Sequence, residues 1–97
     1  MIKYIVSFEV VPGKYQEFEK FMKEKAFPFW SSFEEVKSIE MFAGYRGSPY
    51  EMHFTLDSFS SLEQMSQHPS FGILFRDIGN YIQNASRGML LLREKIK

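Results

Sequence analysis

Hydrophobic and polar residues alternate at two places along the chain, and each alternation predicts a β-strand. Over residues 2–11 every second residue is apolar, while the opposite row is mixed. Residues 50–57 alternate most regularly: Tyr50, Met52, Phe54 and Leu56 form one row, and Glu51, His53 and Thr55 form the other. Alternate side chains of an extended chain lie on opposite faces. Both segments are therefore predicted to turn an apolar face towards a core.

A helical period replaces the alternation after Pro12 and Gly13. Apolar residues then recur every three or four positions over residues 14–26, which predicts an amphipathic helix. Pro28 predicts that this helix ends near it, because the residue before a proline disfavours helical backbone angles. A weaker alternation over residues 35–45 predicts a second strand. The turn at residues 47–49 would join it to the strand at residues 50–57 as a hairpin.

Two helices and a strand are predicted for the rest of the chain. Ser60 and Glu63 match a capping box at the start of the first helix, and Pro69 separates it from a helix capped by Ser70. The apolar stripe of that second helix comprises Phe71, Leu74, Phe75, Ile78, Tyr81, Ile82 and Ala85. Gly88 is expected to end it, and residues 89–96 to form a last strand. The order β-α-β-β-α-α-β predicts one ferredoxin-like α+β domain over residues 1–97, with an antiparallel sheet and helices on one face.

The sheet face away from the helices predicts a partner. An antiparallel sheet that leaves one face in water should be polar on that face. Here that face is mixed, since it holds Ile5 and Val11 together with part of the apolar run at residues 89–92. Apolar patches of this kind mark interfaces. We therefore expect a homodimer whose two sheets stack to form a closed barrel.

Composition narrows the possible partners and cofactors. A chain of 97 residues is too short for two separate cores. Twelve basic and twelve acidic residues give a net charge of +0, which argues against nucleic acid as a partner. The absence of cysteine excludes disulfides, thiol catalysis and cysteine-bound metal. No apolar run could span a bilayer and no signal peptide is evident, so we expect no membrane association and a cytoplasmic location.

Two motifs resemble the dimeric α+β barrel superfamily. Val10-Val11-Pro12-Gly13-Lys14 followed by Phe18 is similar to the opening of its antibiotic-biosynthesis-monooxygenase-like and NIPSNAP-like members. The passage from Phe54 through Asp57-Ser58-Phe59 to His68-Pro69 is similar to a second recurrent motif of the group. The resemblance covers nearly the whole chain and implies the fold and the dimer. It does not imply one activity, because the superfamily includes monooxygenases without cofactors, haem-degrading enzymes and ligand-binding proteins.

Haem degradation is disfavoured by the residues present. The resemblance implies for such members an Asn on the first strand, a Trp near the first of the two C-terminal helices and a His on the next helix. This chain has no Asn in the first strand, no Trp around Met65 and no His around Phe75. We therefore expect no cofactor and no bound metal.

A ligand pocket is predicted between the helix-facing row of the sheet and the two C-terminal helices. The break at residues 68–69 splits those helices and can leave a gap between them and the sheet. We expect the pocket to be lined by Tyr4, Trp30, Tyr50 and Tyr81, with Arg76 and Asn84 as further groups able to stabilise an anion. The same residues are also explained as parts of a filled core, so both interpretations stay open.

The two histidines are the candidates for acid–base catalysis. His53 shares the polar row of its strand with Glu51, and a histidine beside carboxylates can act as a general base. It can equally belong to a polar cluster at the dimer interface. We expect it to be at least partly buried near a carboxylate. His68 precedes a helix, where capping is the alternative to a catalytic role.

Three classes of function follow from these features. The leading hypothesis is a small homodimer that binds a hydrophobic or aromatic molecule in the pocket. The first alternative is a cofactor-independent monooxygenase or isomerase acting on an aromatic or polyketide-like substrate. The second alternative is a structural or interaction protein with a filled core.

Overall fold

Four antiparallel strands form one sheet in the computed structural model, which describes residues 1–97. The strands are β1 (Ile2–Val10), β2 (Val36–Phe42), β3 (Tyr50–Leu56) and β4 (Ile82–Leu91). They are arranged in the order β2-β3-β1-β4, so that β2 and β4 are the two edges. The predicted first and third strands are thus confirmed almost to the residue, and the second is shorter than the predicted 35–45.

The helices cover one face of this sheet. They are α1 (Tyr15–Phe21), a π-helical turn (Met22–Ala26), α2 (Phe27–Ser31), α3 (Phe59–Ser66) and α4 (Pro69–Ile78). Their buried residues pack on the apolar rows of β1 and β3 in a single core. The ferredoxin-like α+β fold predicted from the sequence is confirmed. None of these helices is both long enough and apolar enough to cross a membrane.

The first helical segment continues past Pro28, where the sequence predicts its end. The backbone N–H of Phe27 donates to the carbonyl of Met22, five residues back, which makes the wider π turn. Pro28 lies where the π turn meets α2; it removes one backbone hydrogen bond there, and the backbone on both sides stays helical. The buried residues of the segment are spaced four apart: Phe18, Met22, Ala26 and Trp30. Because four residues of α-helix overshoot one turn by about 40°, the wider turn keeps all four on the core side.

The start of α3 differs from the predicted cap, whereas α4 begins at His68, in the capping role that the sequence offered as the alternative to catalysis. Ser58, not Ser60, caps α3: its hydroxyl accepts from the backbone N–H of Ser61 at 3.3 Å. His68, not Ser70, caps α4: its Nδ1 accepts from the backbone N–H of Ser70 at 3.3 Å. In both cases the residue with extended backbone angles takes the cap position, as an N-cap requires.

The last strand begins earlier than predicted. Helix α4 ends at Ile78, and a turn at Gly79 and Asn80 leads into β4 at Ile82. Tyr81, Ile82 and Ala85 therefore lie outside the helix, and residues 92–97 lie beyond the strand. The helical spacing of these apolar residues misled the prediction, because pairing with β1 over nearly its whole length outweighs a local period.

A β-bulge interrupts the pairing of β4 with β1. Asn84 and Ala85 together stand opposite Phe8, since the register shifts between Ser7 and Glu9. Asn84 adopts a φ of +53°, a left-handed conformation that asparagine reaches more easily than most residues. Its side-chain amide donates to the Glu9 carboxylate. A bulge of this kind bends the strand that carries it.

Candidate functional site

A cavity of about 260 Å³ lies between the sheet and the helices, next to the bulge. Its floor is buried and apolar and is formed by Val6, Phe8, Phe18, Met22, Met52 and Ile78. Its mouth is formed by exposed residues of the turn after α4 and of β4, namely Gly79, Gln83, Asn84, Ala85 and Arg87. An apolar cavity of about 150 Å³ holds one benzene molecule. The volume therefore suits a molecule of one or two aromatic rings.

Arg87 is the only ionisable residue that lines the cavity. It pairs with Val6 in the register of β4 and β1, which places it on the helix-facing side of the sheet. Its guanidinium carbon lies 4.8 Å from the centre of the Phe75 ring on α4. Such stacking leaves the edge of a guanidinium free to donate hydrogen bonds to a planar anion. A positive charge therefore stands at the mouth of a cavity whose interior is apolar.

Tyr4 lies beside this guanidinium. Burial raises the pKa of Tyr4 above its usual 10.0, and the charge of Arg87 and its hydrogen bond to the phenol offset part of that rise. The Tyr4 hydroxyl consequently keeps its proton at neutral pH and can act as a donor. The Tyr4 ring packs on Phe54 at 5.9 Å between ring centres, which holds the hydroxyl in place.

None of the four residues predicted to line a pocket lines this cavity. Trp30 is fully buried against Phe54 and Phe75, and its indole N–H has no hydrogen-bond partner. The ring of Tyr50 stacks on Phe8 at 5.8 Å. The other two residues lie at opposite ends of the sheet: Tyr4 adjoins Arg87, and Tyr81 packs on Phe21 at 5.2 Å. Only Tyr4 is thus brought next to a group of the mouth, and the roles of all four in ligand binding stay predictions.

His53 lies on the other side of the sheet from the cavity. Its side chain is 15% exposed, and its Nε2 lies 2.9 Å from the Glu51 carboxylate. The Phe42 ring covers it at 4.8 Å between ring centres, and its buried Nδ1 has no partner. The structure thus places His53 partly buried beside a carboxylate, as expected. Its position removes it from any ligand in the cavity.

His68, Arg76 and Asn84 also take positions that bear on their predicted roles. The His68 ring caps α4 and packs between Phe29 and Phe33, at 6.1 and 5.4 Å between ring centres. Arg76 lies exposed on α4 and does not line the cavity. Asn84 reaches the mouth, but its amide is engaged by Glu9. Of these three predicted residues, only Asn84 belongs to the cavity.

The sequence prediction missed Arg87. That residue fell between the predicted end of a helix and the predicted start of the last strand, so neither element assigned it a face. A signal was present, since Arg87, Met89 and Leu91 alternate with Ser86, Gly88 and Leu90. With β4 in place, the first three residues fall on the helix-facing side and the second three on the other.

Comparison with solved structures identifies the fold. SnoaB, a cofactor-independent oxygenase from Streptomyces nogalater, superposes with a TM-score of 0.81 and 14% identity over 98% of this chain and 95% of that chain. A NIPSNAP domain protein from Burkholderia xenovorans superposes with a TM-score of 0.68 and 12% identity, over 96% of this chain and 95% of that chain. A dimeric protein of ferredoxin-like fold from Bacteroides fragilis superposes with a TM-score of 0.68 and 13% identity, over 92% of this chain and 93% of that chain. No family model and no curated protein matches the sequence.

These likenesses confirm the fold that the two sequence motifs implied. The chain has the ferredoxin-like α+β architecture of antibiotic-biosynthesis-monooxygenase-like and NIPSNAP proteins. Identities of this size show architecture alone, because one fold carries many activities. The function therefore has to be argued from the cavity and the surfaces of this chain.

Proposed function

We propose that the protein binds a small aromatic acid, with its ring in the cavity and its anionic group at Arg87. The observation that carries this proposal is the single guanidinium at the mouth of an apolar cavity. A charged donor facing such an interior favours a molecule that is apolar at one end and anionic at the other. The Tyr4 hydroxyl next to Arg87 can donate a second hydrogen bond to the same anion.

The test compares anionic and neutral ligands of one shape. Hydroxylated and carboxylated one- and two-ring arenes are titrated against the protein, together with the matching esters and ethers, and melting temperature and calorimetric affinity are measured. Replacing Arg87→Gln should weaken binding of the anions about 10- to 100-fold, because a hydrogen bond to a charged group contributes about 1.5–3 kcal/mol. Binding of the neutral analogues should change little.

Arg76→Gln is the matched control, since it removes the same charge from a position on α4 outside the cavity. It should leave both sets of affinities unchanged. The proposal fails if no compound raises the melting temperature of the parent protein, which would favour a filled or structural core. It also fails if Arg87→Gln weakens the binding of neutral and anionic compounds equally.

Oxygenation without a cofactor is the second candidate function. It is favoured by the likeness to SnoaB, described as a cofactor-independent oxygenase, and by Arg87, since a guanidinium stabilises a phenolate, the electron-rich form that reacts with O₂. One oxygen atom of O₂ would replace two hydrogens at a substrate CH₂ as a new carbonyl, and the other would leave as water. No carboxylate or histidine lines the cavity, so the substrate would have to enter as the anion. If ligands bind but an oxygen electrode records no oxygen uptake, the binding function is supported and the oxygenase function is rejected.

We further propose that the protein is a homodimer joined through the face of the sheet that the helices do not cover. Phe42 and Leu90 lie on that face with 49% and 60% of their surface exposed. The neighbour from Bacteroides fragilis is described as dimeric. Light scattering at micromolar concentration should give twice the 11.5 kDa of one chain. A mass of one chain would reject the homodimer.

A further inference from the structure

Three residues that line the cavity form one row across the sheet. Arg87 of β4 pairs with Val6 of β1, and Val6 pairs in turn with Met52 of β3. Met52 is the only residue of β3 that lines the cavity. Neighbouring strands lie about 4.8 Å apart, so the backbones of Arg87 and Met52 are separated by about 10 Å. The row therefore runs from the charged mouth to the wall on the opposite side of the cavity.

Met52 closes the cavity at the end of this row. Its side chain is buried, and the next residue along the row, Met41 of β2, does not line the cavity. The polar side chains of the lining all belong to β4, on the side of the mouth. A methionine side chain is flexible and makes favourable contacts between its sulfur and aromatic rings. The part of a ligand that reaches Met52 must therefore be apolar, and an aromatic ring suits it.

The cavity volume limits the number of ring atoms. A cavity of about 150 Å³ holds the six carbon atoms of benzene, which is about 25 Å³ for each atom. The volume of about 260 Å³ therefore accommodates about ten ring atoms. Two fused rings, as in naphthalene, have ten atoms and fit. Two linked rings, as in biphenyl, have twelve atoms and would need about 300 Å³. The anionic group is not part of this count, because it would lie at the mouth beside Arg87.

We infer that Met52 limits the length of the ligand, and that the cavity selects aromatic acids of one ring or two fused rings. Such a ligand lies across the strands, with its acid group at Arg87 and the far edge of its ring system against Met52. The inference rests on the binding of an aromatic acid proposed above. It adds the size of that acid and the residue that determines the size.

The test changes the length of the cavity in both directions. Met52→Ala removes three side-chain heavy atoms and Met52→Phe adds three, which changes the free volume by about 75 Å³ either way. The first variant has room for two linked rings, and the second has room for one ring only. Calorimetry measures the affinities of benzoate, 2-naphthoate and biphenyl-4-carboxylate for each variant. These ligands carry the same acid group and differ in the size of the ring system.

The affinities are compared as ratios to benzoate within each variant, because such ratios do not depend on the folded fraction. In the parent protein, biphenyl-4-carboxylate should bind at least tenfold more weakly than 2-naphthoate. Met52→Ala should raise the ratio for biphenyl-4-carboxylate about tenfold, and Met52→Phe should lower the ratio for 2-naphthoate about tenfold. A factor of ten corresponds to about 1.4 kcal/mol, which is less than the burial of three further carbon atoms supplies.

Two further methionine variants are the controls. Met65→Ala removes the same atoms from a buried position outside the cavity, so its ratios should equal those of the parent. Met22→Ala removes them from the π turn, which lines the cavity from the helix layer. It should widen the cavity without lengthening the row, and raise the ratio for biphenyl-4-carboxylate less than threefold. An equal gain in Met22→Ala and Met52→Ala would overturn the role of Met52.

The other outcomes separate this inference from the binding function. If the parent protein binds these acids but neither variant of Met52 changes the ratios, the inference is overturned and the binding function stands. Equal affinities of the parent for 2-naphthoate and biphenyl-4-carboxylate would overturn the size limit. If the parent binds none of the acids, the binding function is rejected and this inference with it. Should Met52→Ala fail to fold, Met52→Phe decides alone, because it leaves no void in the core.

Discussion

The ring of Tyr15, at the start of α1, packs edge-on against the ring of Tyr50 on β3, with 6.3 Å between the ring centres. The hydrogen bond to Tyr50, with smaller effects of Tyr50 charge, burial and Glu19, raises the pKa of Tyr15 to about 12. The Tyr50 ring packs on Phe8 of the core and edge-on against Tyr15 of the helix. A single residue therefore joins β3 to the first helix.

The raised pKa of Tyr15 predicts a loss of stability at alkaline pH. The unfolded chain releases this proton near pH 10.0, whereas the folded chain holds it to about pH 12. The contribution of the pair is therefore complete below about pH 10 and is lost as the pH rises through about 12. The free energy of unfolding, measured with urea between about pH 10 and pH 12, should therefore decline less for Tyr15→Phe than for the parent protein.

Tyr45→Phe, in the exposed hairpin loop, is the control for removing a tyrosine as such, and its decline should match that of the parent. Equal declines for the parent and for Tyr15→Phe would contradict the prediction.

At the scale of elements, the π turn between α1 and α2 explains how one helical segment buries four residues spaced four apart. An α-helix would turn the last of them, Trp30, about 120° away from the first, Phe18. The turn at Met22–Ala26 corrects this rotation, as expected for one extra residue inserted into a helix. Met22 belongs to this turn and to the floor of the cavity. The helix geometry and the cavity shape are thus coupled.

In a Pro28→Ala background, which avoids a proline inside a continuous α-helix, deletion of the exposed residue Lys25 should be tolerated. It would change the spacings of the buried residues to four, three and four, which an ordinary α-helix accommodates. We expect the free energy of unfolding in urea to stay within about 1.5 kcal/mol of that of Pro28→Ala, as for a substitution that keeps core volume. The matched deletion of Ile73 in α4 should be far worse, because Leu74 and Ile78 would both rotate off the core at about 2–5 kcal/mol each. Equal effects of the two deletions would contradict this account.

At the scale of the whole molecule, the two faces of β4 have different surroundings. Leu90 pairs with Lys3 and belongs to the sheet face away from the helices, whereas Leu91 pairs with Ile2 and belongs to the helix-facing side. Both are exposed in one chain, at 60% and 62%. Only the first would be buried by stacking of the sheets.

Leu90→Arg should therefore dissociate the homodimer at micromolar concentration, because burying an unpaired charge costs several kcal/mol. Leu91→Arg, one residue along the same strand, should leave the mass measured by light scattering at that of the dimer. If Leu91→Arg dissociates the protein and Leu90→Arg does not, the dimer uses a different surface.

Much of this architecture was determined by local patterns in the sequence. The alternation over residues 50–57 and the apolar row of residues 2–10 specify β3 and β1, because a period of two is compatible only with an extended chain that buries one face. The capping role of His68 and the break at Pro69 follow from local chemistry as well. The pairing of His53 with Glu51 followed from their positions two apart on one strand.

Where local patterns conflict with long-range pairing, the tertiary structure determined which element forms. The apolar spacing of Tyr81, Ile82 and Ala85 indicates a helix, but hydrogen bonding along β1 makes this segment a strand. That strand places Arg87 at the cavity and Leu90 on the sheet face away from the helices. The candidate site therefore depends on the pairing of β4 with β1, which the local alternation of residues 86–91 does not specify. The π turn likewise arises because the core must receive both Phe18 and Trp30. Burial and strand pairing sum over many contacts, and they outweigh helix preferences that amount to a few tenths of a kcal/mol per residue.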